Sequence, residues 1–118
     1  MNNQKTFSDL VFNDHANNPD GIQATLGLGN DINISVVSMK NGNTQYGGLY
    51  GNASQGTYEV AVFRNDSMLP LSIFDDVLGW QTEDEVTELM SNLQKKSYQA
   101  FIANLYIERD ESRGELIS

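Results

Sequence analysis

Ile22-Gln23-Ala24-Thr25-Leu26-Gly27-Leu28-Gly29-Asn30-Asp31-Ile32-Asn33-Ile34-Ser35-Val36 is the stretch whose reading decides the fold class. Ile22, Ala24, Leu26 and Leu28 alternate with Gln23, Thr25 and Gly27, and Ile32, Ile34 and Val36 alternate with Asn33 and Ser35. That period of two turns one face of each strand inward. Between the runs, Gly29-Asn30-Asp31 supplies residues that tolerate the positive φ of a tight reversal, so the stretch reads as a β-hairpin. Residues 57–64 repeat the alternation with Tyr58, Val60 and Val62 on one side, and the run from Phe7 to Phe12 reads as an additional strand before the Asn- and Pro-rich turn 17–21. Residues 40–56, with Gly42, Gly47, Gly48, Gly51 and Gly56 among polar side chains and two tyrosines, read as a long flexible loop.

Beyond the strands the period changes. Thr82, followed three residues later by Glu85, has the capping-box spacing, in which hydroxyl and carboxylate each satisfy a backbone N–H at a helix start. Val86, Leu89, Met90 and Leu93 then form an apolar helical stripe. Tyr98, Phe101, Ile102 and Leu105 form a second one, rotated by about 120° at 100° per residue. Either a break near Lys95-Lys96-Ser97 separates two helices, or one long helix buries two faces. The expected architecture is α+β, an antiparallel sheet of four to six strands with one or two C-terminal helices packed on one face. Residues 1–107 make a single domain, and 108–118 form a polar tail expected to fray. Trp80, just before the cap, is expected to pack beneath the helix start.

Composition bounds the function. With 118 residues the chain is long enough to bury its own core, and the absence of cysteine excludes thiol catalysis, thiolate zinc sites and iron–sulfur clusters. No apolar run reaches the roughly 20 residues of a membrane span, and Met1-Asn2-Asn3-Gln4-Lys5 is followed by no apolar signal segment, so the expectation is a cytoplasmic protein. A formal charge of −9 works against direct contact with nucleic acid or anionic membrane and favours a basic partner. The acidity is concentrated: residues 65–94 carry Asp66, Asp75, Asp76, Glu83, Asp84, Glu85 and Glu88 without one Lys or Arg. Four of these charges fall within six residues at a helix start, a linear density comparable to duplex DNA at a rise of about 1.5 Å per residue. The helix dipole favours acids in a first turn by about 0.3–1 kcal/mol each, which accounts for that group but not for Asp66, Asp75 and Asp76.

Other constellations carry less. His15 beside Asp14 has no nucleophile placed for it, so it reads as a solvated loop histidine. Asp75-Asp76 lacks the spacing of a calcium loop, and the glycines around 47–51 lack both the Walker lysine and the dinucleotide fingerprint. No cofactor or metal is expected. Tyr46 and Tyr50 in the glycine-rich loop suit protein contact better than phosphate binding.

The ordering Thr6-Phe7-Ser8-Asp9-Leu10-Val11-Phe12, then Gly21-Ile22-Gln23-Ala24, Tyr46-Gly47-Gly48, Tyr58-Glu59-Val60-Ala61-Val62 and Asp75-Asp76-Val77-Leu78-Gly79-Trp80-Gln81-Thr82 resembles short acidic proteins encoded in tailed-phage genomes. The resemblance spans about residues 6–94 and does not extend from Lys95 onward. It implies a compact α+β domain and, by analogy with small acidic phage proteins, a non-enzymatic inhibitor acting in the cytoplasm of an infected bacterium. The implied partner is a host protein with a basic, nucleic-acid-binding surface, for instance a restriction or CRISPR-type nuclease complex, met by Asp66, Asp75, Asp76, Glu83, Asp84 and Glu88 with Tyr46 and Tyr50. The alternative is a binding module that sequesters a small ligand or assembles through its Gly/Tyr loop, a homodimer being compatible with either. A hydrolase ranks third, because the polar groups with catalytic potential are scattered carboxylates and one histidine.

Overall fold

A computed structural model describes residues 4–41, 49–72 and 75–117, with side chains described as far as residue 111. The hairpin forms as its pattern requires. Strands β2 (Asn18–Gly29) and β3 (Ile32–Met39) pair antiparallel and are joined by Asn30 and Asp31, at φ 56° and 63°. Both central residues are left-handed, the conformation that matches a two-residue turn to the twist of its strands. Strand β1 (Asn13–His15) extends the sheet beyond β2, and β4 (Thr57–Arg64) pairs with β3 on the other side. The outer edge of β4 is shared. Strand β5 (Ser67–Met68) takes its end at Phe63 and Arg64, while β6 (Leu78–Thr82) takes its start from Thr57 to Val60.

Registration puts Ala24, Val36 and Val60 in one row and Leu26, Ile34 and Val62 in the next, all on one face. Helix α1 (Glu83–Gln94) covers that face with Val86, Met90 and Leu93, so these residues share one core with Ile34, Val36, Val60 and Val62. At Lys95 the backbone becomes extended (φ −72°, ψ 161°), and α2 (Tyr98–Ile117) follows. The break resolves the two-stripe problem by reorienting the chain. Ile102 is then buried, with Tyr98, Phe101 and Leu105 packed against the same core. Among the described residues, no helix is long and apolar enough to cross a membrane.

Four expectations need correction. Residues 7–12 form no strand: Phe7–Asp9 is a 3-10 turn whose neighbourhood is claimed by α1, since Phe7 N donates to Thr87 Oγ1 (3.0 Å) and Lys5 N to Gln94 Oε1 (2.8 Å). The turn brings the rings of Phe7 and Phe12 both onto Tyr58, at 4.9 and 5.5 Å. The reversal expected over 17–21 lies at Ala16-Asn17, and Pro19 and Asp20 belong to β2. The second part of the 40–56 segment is ordered by its own polar groups. Asn52 Oδ1 caps a 3-10 turn over Ala53–Gln55, Asn52 N donates to Thr57 Oγ1, and Gly56 closes the turn at φ 73°. Finally, the boundary drawn at 107/108 falls inside α2, so the polar C-terminal stretch is helical through Ile117.

Leu93 is fully buried and Leu89 only partly so. Leu93→Ala is therefore expected to cost about 2–5 kcal/mol, the range for truncating a buried leucine. Leu89→Ala should cost distinctly less, and equilibrium urea unfolding of the two variants checks the order.

Candidate functional site

The acidic helix start is built as the spacing predicts. Thr82 Oγ1 accepts from Glu85 N at 3.2 Å, and Thr82 N donates to Glu85 Oε1 at 3.0 Å. These bonds to the ionised form hold the Glu85 carboxyl below its ordinary value. Glu85 is thus committed to the cap, while Glu83, Asp84 and Glu88 stay exposed. Burial pushes the Tyr58 hydroxyl up in pKa, and the negative charge of Glu83 pushes in the same direction.

The remaining acids are not gathered there. Asp66 sits exposed in the β4–β5 turn beside Asn65 (φ 55°), opposite the Arg64 end of β4, whereas Thr82 pairs with Thr57 at the other end. Seven residue steps at about 3.3 Å separate the two ends by about 23 Å, more than twice the Debye length at physiological salt. Asp75 and Asp76 precede β6 and are tied to α2 by Arg109. Its Nη1 donates to Asp76 Oδ1 at 2.6 Å, Nη2 to the carbonyls of Ser72 and Asp75, and Nε to Ser72 at 3.1 Å. Asp75 Oδ1 in turn accepts from Asp76 N. The charge of Asp76 is therefore matched within the molecule, and the single acidic surface expected from the sequence is divided among the β4–β5 turn, the segment before β6 and the start of α1.

At the Thr57 end of that edge the structure assembles a group that sequence spacing does not reveal. Glu59 is opposed by two residues of β6, Gly79 and Trp80, in a β-bulge, with Trp80 at φ 58°. A bulky residue in the left-handed region costs about 1–2 kcal/mol and marks a constrained position. The conformation is held from outside the strand, because Trp80 N donates to the Tyr50 carbonyl at 2.8 Å and Tyr50 N donates to Glu59 Oε1 at 3.3 Å. A side chain at Gly79 would place its Cβ 2.7 Å from Tyr50 Cβ, so glycine permits the approach. The outcome contradicts the packing expected for Trp80. Trp80 is 53% exposed, as is Tyr50. Glycine inside a strand pattern is the available signal for such a bulge, and Gly79-Trp80 carries it. Tyr46, the other tyrosine expected to make contact, lies outside the described residues.

The field at this corner is not neutralised locally. Among the described residues, Lys40, which follows β3 at the same end of the sheet, is drawn away to Asp14 of β1 at 3.1 Å, and Arg64 lies over the Tyr98 ring at 5.7 Å. Lys95 and Lys96 stand at the far end of α1, about 18 Å along its axis, where the Lys5 backbone is also tied to Gln94. Arg109 is occupied at residues 72–76. On the uncovered sheet face, a shallow depression of about 370 Å³ is lined by Val11, Asn13, Asp14, Gln23 and Thr25, apart from Tyr50. His15 Nδ1 accepts from Asn17 N, which makes the imidazole part of a turn. No group of three or more His, Asp or Glu that could hold a metal ion occurs among the described residues. No family model, curated protein or solved structure matches the chain.

Two outcomes follow. Arg109→Ala should destabilise the fold by about 1–3 kcal/mol, since the guanidinium is mostly buried and leaves charged and carbonyl acceptors unmatched. Arg109→Lys should not restore the loss, because an ammonium lacks the fork that spans three acceptors; thermal unfolding of both variants is the check. The fluorescence of the single tryptophan should be red-shifted and quenched more efficiently by caesium than by iodide, the difference shrinking as salt is added.

Proposed function

We propose that this chain is a non-enzymatic binding protein whose acidic edge docks on a basic surface of another protein. The observation that carries the reading is the charge distribution at the Thr57 end of the sheet. Glu83, Asp84 and Glu88 are solvent-exposed on the first turns of α1, which begins three residues after the half-exposed Trp80, and the basic side chains described are engaged elsewhere or lie at the far end of α1. Carboxylates with an aromatic neighbour and no local counter-ion favour rapid, salt-sensitive association with a cationic surface. The resemblance to tailed-phage proteins makes a host nuclease complex with a nucleic-acid-binding groove the first target class to test. In that setting the protein acts in the bacterial cytoplasm, and the exposed carboxylates at the start of α1 occupy a groove that otherwise holds phosphates.

The alternative of small-ligand sequestration has less support. The depression lined by Val11, Asn13, Asp14, Gln23 and Thr25 is shallow, and its lining is largely polar and exposed. Drug-sized ligands are instead held in concave, mostly apolar sites.

Asp84→Lys combined with Glu88→Lys reverses two exposed charges without touching the buried stripe of Val86, Met90 and Leu93. Affinity capture from bacterial lysate at low and high salt, followed by association kinetics on the captured protein, is the test. The expected result is an association rate that falls steeply with salt and drops at least about tenfold in the double variant. Salt-independent binding that survives the charge reversal would overturn the proposal.

A further inference from the structure

We infer that Trp80 is the anchor of this docking surface and that it receives an arginine side chain of the partner, stacked on the indole face. The inference rests on the acidic-edge reading and adds the chemistry of its central contact.

Three independent observations meet at this residue. First, Trp80 is half exposed and its backbone is left-handed, so the fold keeps a costly conformation at a large aromatic residue that it does not bury. Second, the conformation is locked by neighbours: the Tyr50 carbonyl accepts its N–H, Tyr50 rests against Gly79, and Glu59 holds Tyr50 through its backbone N–H. An anchor preorganised in this way loses little further freedom on binding. Third, the surrounding charge is of one sign, with Glu59 opposite the bulge and Glu83 and Asp84 three and four residues further on. Among the described residues no cation is paired with any of the three.

An exposed indole in an acidic stretch of the surface is complementary to a cation, and tryptophan is the strongest of the aromatic partners. Between the two basic side chains, the guanidinium suits the site better. It is planar, so it stacks, and it is more weakly hydrated than an ammonium, so it sheds less water on approach. Its remaining N–H groups stay free to meet neighbouring carboxylates in bidentate fashion. Lysine would engage the charge without the stacking. The partner chemistry is therefore an arginine-bearing protein segment, and the discrimination of arginine from lysine is the signature of the ring's role.

Synthetic peptides of nine arginines and of nine lysines, titrated into the full chain by calorimetry at low salt, test this directly. Wild type is expected to bind the arginine peptide about tenfold more tightly than the lysine peptide, and the indole emission should change only at the arginine endpoint. Trp80→Asn should bring the two affinities together while leaving the salt dependence of each intact. Asparagine tolerates the left-handed region, so this variant is expected to keep the fold; circular dichroism confirms it, and Tyr50→Leu supplies a second variant in which the preference is reduced. Equal affinities in wild type, or a preference that persists in Trp80→Asn, overturn the anchor while the acidic-edge reading stands. If wild type binds neither peptide, or if Asp84→Lys with Glu88→Lys leaves both affinities unchanged, the acidic-edge reading itself falls.

Discussion

The inner rows of β3 and β4, where Ile34, Val36, Val60 and Val62 are wholly shielded, constrain everything packed around them. A sheet with one apolar face needs a cover whose own apolar stripe matches it. α1 supplies that stripe with Val86, Met90 and Leu93, and the extended residue at Lys95 lets α2 bring Ile102 to the same core. Once α2 lies there, Arg109 reaches the carbonyls of Ser72 and Asp75 and the carboxylate of Asp76. A packing requirement in the core thereby determines which acid of the loop is neutralised. The face of the sheet turned away from the helices carries Gln23, Thr25, Ser35 and Glu59, a set that tolerates water.

The shared edge of β4 governs the charge distribution. Because β5 occupies one end and β6 the other, an acidic stretch that looks continuous in sequence is paid out along a whole strand length. At physiological salt, charges more than about 8 Å apart in solvent act nearly independently. Asp66 and Glu83 therefore do not add into one field, and Asp76 is cancelled by its partner. What remains is local: the exposed acids in the first turns of α1, together with Glu59 across the bulge.

At that corner the demands of the fold and of recognition converge. Gly79 admits Tyr50 against the strand, Tyr50 accepts the N–H of Trp80, and the bulge twists an edge strand that would otherwise offer a flat ladder to other chains. A bulge that discourages indiscriminate strand pairing also aims a tryptophan outward. The proposed contact needs no moving part, because the ring is presented before a partner arrives.

The residues by themselves determined the local structure where period and chemistry are local: the alternation of 22–36, the Asn30-Asp31 reversal, the Thr82/Glu85 cap and the stripe of α1 all stand in the structure as the pattern implies. They also located the acids, with Glu83, Asp84 and Glu88 exposed on α1. Tertiary contacts decided the rest. Phe7 turns away from strand geometry because Thr87 and Gln94 of α1 claim the backbone around it, and the C-terminal stretch stays helical where Arg109 finds acceptors more than thirty residues away in sequence. Trp80 stays half exposed in a left-handed conformation in which Tyr50, remote in sequence, captures its N–H. The physical reason is common to all three: a donor's choice among acceptors depends on which segments the folded core brings together, and that choice is not encoded in the spacing of neighbours along the chain.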